Sequence, residues 1–81
     1  MIVTVLFFAH QRDLFGVPEK RIEVPEGSKV KDLADALARL DSRFEGLLLY
    51  TRVAVNGDWA AADTDLADGT EVAFVPPMSG G

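Results

Sequence analysis

The last strand-forming run of this 81-residue chain cannot be extended, and that restricts how everything before it can be arranged. Glu71 to Val75 alternates with period 2 and is β-branched or aromatic at three of its five positions, the pattern of a half-buried strand. Pro76-Pro77 stops it. Neither proline can donate to a sheet ladder, both hold φ near about −65°, and each pushes the preceding residue toward extended geometry, so the chain must leave the sheet as a stiff stalk. Met78 and Ser79 come next, and then Gly80-Gly81, which carries no side chain to anchor it. The reading is therefore one folded domain, residues 1–76, and a flexible tail, residues 77–81.

Such an end has two readings. It is an idle terminus, the usual state of chain ends, or the α-carboxylate of Gly81 is itself the reactive group. Glycine admits close approach and any φ, which suits entry into a narrow channel. Six extended residues from Pro76 to Gly81 reach roughly 20 Å, enough to cross the wall of a partner's active site.

Upstream, Ile2 to Phe8 (IVTVLFF) is the strongest strand signal. Its parity turns Val3, Val5 and Phe7 inward and Thr4, Leu6 and Phe8 outward. Residues 9 to 16 suit a short helical turn closed by Gly16, and Arg21 to Val24 a second strand in hairpin with the first. Ser28 is the expected N-cap of a helix over 28–40, whose apolar stripe is Val30, Leu33, Ala34, Leu37 and Leu40. Residues 41 to 49 read as an irregular connection with Phe44 and Leu47 plugging the core. Tyr50 to Val55 reads as a strand ended by Asn56-Gly57, a hairpin turn signal. Trp59 to Ala61 is a further short strand with Trp59 half-buried, and Leu66 to Gly69 a turn into the final strand.

One helix, an early hairpin and a last strand beside the first, with a right-handed crossover, make an α+β fold of the β-grasp, or ubiquitin-like, class: a mixed sheet packed on one main helix. Val72 and Phe74 then point inward, while Val75 joins Leu6 and Phe8 on an open apolar face, the mark of a partner surface.

Composition removes several function classes. No cysteine means no disulfide framework, thiolate metal site or cysteine nucleophile. A net charge of −5 with scattered Lys and Arg argues against nucleic acid. No apolar run approaches the roughly 20 residues that span a membrane, and no signal-peptide pattern is seen, so the expected location is cytoplasmic. His10 is the single histidine and reads as a surface or capping residue. Asp63, Asp65 and Asp68 lack the ligand spacing of a calcium loop and read as a solvated turn, and no metal site is expected. Arg12 and Asp13 read as fixing the turn after the first strand.

Leu6-Phe7-Phe8-Ala9, Arg12-Asp13-Leu14-Phe15-Gly16, Val53-Ala54-Val55-Asn56 and above all Asp68 through Gly81 resemble the small, sulfur-carrying subunit of molybdopterin synthase over the whole chain. The specific part is Glu-Val-Ala-Phe-x-Pro-Pro-x-Ser/Thr-Gly-Gly; the match is weakest from Asp41 to Arg52. The resemblance implies a carrier that is no enzyme on its own and binds no cofactor. Its Gly81 carboxylate, beside Gly80, is adenylated with ATP by a ubiquitin-activating-type adenylyltransferase, converted to a thiocarboxylate, and donates sulfur to cyclic pyranopterin monophosphate in molybdenum cofactor biosynthesis. The large subunit of a heterotetramer supplies the catalytic residues and would receive Leu6, Phe8, Val75, Pro76, Pro77, Met78 and Ser79. The alternatives are a sulfur carrier for thiamine synthesis or tRNA thiolation, a ubiquitin-like protein-conjugating modifier, and a plain interaction module.

Overall fold

A computed structural model describes residues 1–8, 12 and 16–76. The elements are β1 (Ile2–Leu6), β2 (Glu19–Glu23), α1 (Val30–Leu40), a single 3-10 turn (Ser42–Phe44), α2 (Leu47–Tyr50), β3 (Arg52–Val55), β4 (Asp58–Ala60) and β5 (Glu71–Val75). The strands form one sheet in the order β2-β1-β5-β3-β4. Only the β1–β5 pairing is parallel; the other three are antiparallel. The first and last strands thus lie side by side at the centre with one main helix packed on the sheet, which is the expected β-grasp arrangement.

Parity decides the core. Val3, Val5 and Phe7 are buried, as are Ile22 and Val24 from the second strand's side and Val53, Val72 and Phe74 from the other half of the sheet. The helix closes this layer with Val30, Leu33, Ala34 and Leu37. Phe44 and Leu47 plug its open end, each 2% exposed, with the Phe44 ring tilted against Phe7 at 6.2 Å between centroids.

Several boundaries differ from the sequence reading. β2 occupies Glu19–Glu23 rather than Arg21 to Val24, because pairing continues back to Leu6↔Glu19; Val24 lies past the strand, yet its N–H still donates to the Met1 carbonyl at 2.9 Å. The helix starts at Val30 with Lys29 as N-cap. Ser28 lies one residue before the cap position, and its hydroxyl donates to the Pro25 carbonyl at 2.7 Å. The work falls to Asp32, whose carboxylate accepts from the Lys29 N–H at 2.8 Å, the second half of a capping box. Leu40 is 58% exposed rather than part of the buried stripe. At 3.6 residues per turn, position i+10 falls about 80° around from Val30, at the stripe's rim.

The strand expected from Tyr50 begins only at Arg52, because Leu47–Tyr50 forms a helical turn, entered through Gly46 at φ 73° and followed by Thr51, whose hydroxyl donates to the Leu47 carbonyl at 2.7 Å. β4 is shifted one residue, to Asp58–Ala60. The helical turn expected over 9 to 16 falls largely outside the described residues; within them, the Gly16 N–H donates to the Arg12 carbonyl at 2.8 Å. His10 and Asp13 also lie outside, as do Pro77, Met78, Ser79, Gly80 and Gly81.

Candidate functional site: the open face of the sheet

The sheet face turned away from the helix is assembled by register. Glu19, Leu6, Ala73, Ala54 and Trp59 are successive partners, forming one transverse row across all five strands. Val75 stands opposite Arg52 in the next row. The parallel β1–β5 register ends at Leu6↔Ala73, and Phe8 lies two residues beyond the end of β1. Phe8 is 44% exposed, and Leu6 and Val75 are half-buried. Ala73 is buried on this same face, because its methyl lies in the central strand between Leu6 and Ala54. The register places Leu6 and Val75 on the open face as parity expected, and Phe8, two residues past the end of β1, is exposed.

It also adds residues that the sequence reading missed. A groove of about 560 Å³ opens beside Val75 and Pro76, walled by Leu49, Tyr50, Thr51, Arg52 and Trp59. Leu49 is 90% exposed and Trp59 57%, so Trp59 is not the half-buried sheet residue expected. Its ring lies at the sheet's edge, with the Arg52 guanidinium 3.9 Å from the centroid, a cation–π stack that presents a flat, mixed surface to solvent. Two signals could have located this groove. Three consecutive leucines in so short a helix cannot all face inward, and a two-residue Asn56-Gly57 hairpin puts Trp59 opposite Ala54, on the open face.

Pro76, the last described residue, lines the groove. Polar side chains hold the framework behind it. The Asp68 carboxylate accepts from the Ile2 N–H at 2.7 Å, and the Asn56 side-chain carbonyl accepts from the Glu71 N–H at 3.0 Å. Asp65 pairs with the Lys29 ammonium, which raises the lysine above its ordinary pKa, chiefly through that hydrogen bond. Asp65 and Asp68 thus have structural partners, and Asp63 offers its backbone carbonyl to Lys29. Among the described residues no group of three His, Cys, Asp or Glu side chains is placed to hold a metal ion, and no helix is long and apolar enough to cross a membrane. Its exposed large side chains, Phe8, Leu49, Tyr50 and Trp59, give this side of the fold an apolar surface rather than a set of catalytic groups.

Comparison with known proteins gives the chain's relatives. The chain is 36% identical over 80 residues to the molybdopterin synthase sulfur carrier subunit of Mycobacterium tuberculosis, covering 98% of this chain and 96% of that protein. Among solved structures, a putative molybdopterin converting factor subunit 1 from Pyrococcus furiosus superposes with a TM-score of 0.86 at 34% identity, covering 96% of this chain and 99% of that one. Small archaeal modifier protein 1 of Haloferax volcanii superposes at 0.81 with 29% identity, covering 95% and 98%. The ThiS family model matches residues 5–81, nearly the whole chain, and on that match the chain belongs to the ThiS family.

Proposed function

We propose that this chain is the sulfur carrier subunit of a molybdopterin synthase. The observation that carries the reading is the open sheet face, where Leu6 pairs with Ala73 and Val75 lines, with Pro76, the adjoining groove. A large subunit that covers this face would receive Pro77, Met78, Ser79, Gly80 and Gly81 at a fixed distance from the docked sheet. The relative's name, a sulfur carrier subunit, supports the same assignment.

The chemistry rests on what a carboxylate lacks. The Gly81 carboxylate is a poor electrophile until an oxygen becomes a good leaving group; an adenylyltransferase attaches it to the α-phosphate of ATP and releases pyrophosphate. A sulfur donor then displaces AMP, leaving a thiocarboxylate, a soft nucleophile able to deliver sulfur to cyclic pyranopterin monophosphate. The acids, bases and lysines for these steps come from the partners, and the carrier contributes position and a chain end narrow enough to enter.

Incubating the protein with a matching activating enzyme, ATP and a sulfur donor should raise its intact mass by the difference between sulfur and oxygen, and fragmentation should map the gain to Gly81. Deleting Gly81, or adding one residue after it, should abolish that gain. Sulfur found elsewhere in the chain, or unchanged cofactor synthesis without Gly80 and Gly81, overturns the reading. The likeness to the archaeal modifier protein favours a second use of the same carboxylate, as an isopeptide to lysines; ladders on a denaturing gel that vanish on loss of Gly81 would reveal it.

A further inference from the structure

Asn56-Gly57 is a turn by geometry and a reactive pair by chemistry. Where an asparagine precedes a glycine in an unfolded chain, the glycine's backbone nitrogen can attack the asparagine side-chain carbonyl carbon, because no side chain on the glycine obstructs the approach. A bond forms from that nitrogen to Cγ, the side-chain nitrogen leaves as ammonia with the proton the backbone nitrogen gives up, and a five-membered succinimide remains. Water then opens the ring at either carbonyl. Opening at the former side-chain carbonyl gives aspartate. Opening at the backbone carbonyl gives isoaspartate, whose main chain runs through Cβ and is longer by one methylene.

The fold exposes this pair and yet withholds the geometry the reaction needs. Asn56 and Gly57 are both exposed, and nothing lies within 4 Å of the place a Cβ would take at Gly57, so water reaches them freely. Ring closure requires the Asn56 Cβ and the Gly57 nitrogen on the same side of the Asn56 Cα–C bond. The turn sets them apart: φ of 50° and 86° make it type I′, whose first central residue has ψ near about +30°, and at that ψ the two atoms stand on opposite sides of the bond. The side chain is also held toward β5. Its carbonyl oxygen accepts from the Glu71 N–H at 3.0 Å, while the Asn56 N–H donates to the Glu71 carbonyl at 2.8 Å. The nitrogen meets Cγ only once these bonds break and the hairpin opens.

We propose that Asn56-Gly57 is a self-modification site locked by its own turn: it deamidates in chains whose β3–β4 hairpin has opened, and the isoaspartate formed prevents the hairpin from closing again. The two-residue loop fixes the pairs Val55↔Asp58, Ala54↔Trp59 and Val53↔Ala60, and an added main-chain carbon changes the loop length that sets this register. Trp59 then loses its place opposite Ala54, and with it the Arg52 guanidinium 3.9 Å from its ring centroid, so the groove beside Pro76 loses a wall. Water is the single co-reactant, and the site is independent of the chemistry at Gly81.

The test incubates the full chain in mildly alkaline buffer beside an unlocked reference, the acetylated peptide Arg-Val-Ala-Val-Asn-Gly-Asp-Trp of residues 52–59. Asn56 is the chain's one asparagine and Gln11 its one glutamine, so intact mass follows the exchange of an amide NH for oxygen with little background, and fragmentation maps it. The peptide should convert at Asn56. The folded chain should convert at least about tenfold more slowly, the factor that an opening cost of about 1.4 kcal/mol imposes. Urea below the unfolding transition should raise the folded chain's rate toward that of the peptide. Trp59 is the only tryptophan, so its emission reports on this hairpin. The isoaspartyl fraction, isolated by chromatography, should show shifted emission and faster hydrogen exchange at the Glu71 amide. Asn56→Asp, which adds the charge but keeps the main-chain length and an acceptor for Glu71, should show neither. The proposal is overturned by equal rates in chain and peptide, by a peptide that does not convert, by a rate that urea leaves unchanged, by native emission in the isoaspartyl fraction, or by the same emission change in Asn56→Asp.

Discussion

Phe7 and Phe8 are neighbours in sequence and opposites in environment: Phe7 is 4% exposed against Phe44, and Phe8 is 44% exposed on the open face. Phe7→Ala should therefore cost about 3–5 kcal/mol, a lost aromatic plus a cavity, and lower the melting temperature sharply. Phe8→Asp should change stability by no more than about 0.5 kcal/mol, as is usual for surface positions. On the function proposed above, it should nonetheless weaken binding of a large subunit at least about tenfold, because a carboxylate would have to enter a dry interface unpaired. Calorimetric titration paired with melting curves checks both, and a collapse of the fold in Phe8→Asp would show that the residue faces inward. A residue-scale pH effect is expected at Asp41. Hydrogen bonds from the Arg43 side chain, and then from its backbone N–H, hold this carboxyl below the usual carboxylate range. A depressed folded-state value contributes stability above the ordinary carboxylate pKa, lost as pH falls through the folded value. The melting-temperature gap between the native chain and Asp41→Asn should thus narrow on acidification from about pH 6 to about pH 2. A gap that widened would contradict the assignment.

Among the elements, the β3–β4 hairpin is the most completely specified by local chemistry. Asn56 at φ 50° and Gly57 at φ 86° are both left-handed, the requirement of the two-residue type I′ turn whose twist matches that of its strands. Asn56 also exchanges bonds with the next strand over, donating its N–H to the Glu71 carbonyl at 2.8 Å and accepting from the Glu71 N–H at its side chain. Gly57→Val should cost roughly 1–2 kcal/mol from backbone strain alone, since nothing within 4 Å crowds a new Cβ there. Asp32→Ala, which removes the carboxylate bonded to the Lys29 N–H, should cost about 1 kcal/mol. Urea unfolding curves with unchanged slope would report both as stability changes rather than altered native structure. The helix start was harder to read because Ser28, the better cap by residue type, lies one residue before the cap position that Lys29 takes. Leu47–Tyr50 was harder still: its short apolar run fits strand or helix equally, and Gly46 decides the matter by turning left-handed before it.

For the whole molecule, the buried cluster of the described residues reaches no further along the chain than Phe74, so the fold should not depend on the residues after Pro76. A chain ending at Pro76 should melt within about 2 °C of the full one, less than the shift expected from 1 kcal/mol in a domain of this size. On the function proposed above, it should also keep binding a large subunit and lose sulfur loading altogether. A large drop in melting temperature would mean that the tail packs on the domain. The sequence by itself determined the inward and outward parity of β1 and β5, the single covering helix, the Asn-Gly hairpin and the proline stop. Each of these is set by steric and periodic rules that act over a few residues. Tertiary structure alone decided the remainder. Trp59 became a groove wall because the hairpin's register set it across from Ala54, and Leu40 was left open because the helix's last turn had rotated it to the rim of the buried stripe. The groove is a product of strand order, which brings Leu49, Trp59 and Pro76 together at one edge. No local pattern encodes those meetings, because residues that share a groove are joined by packing across the sheet and not by spacing along the chain.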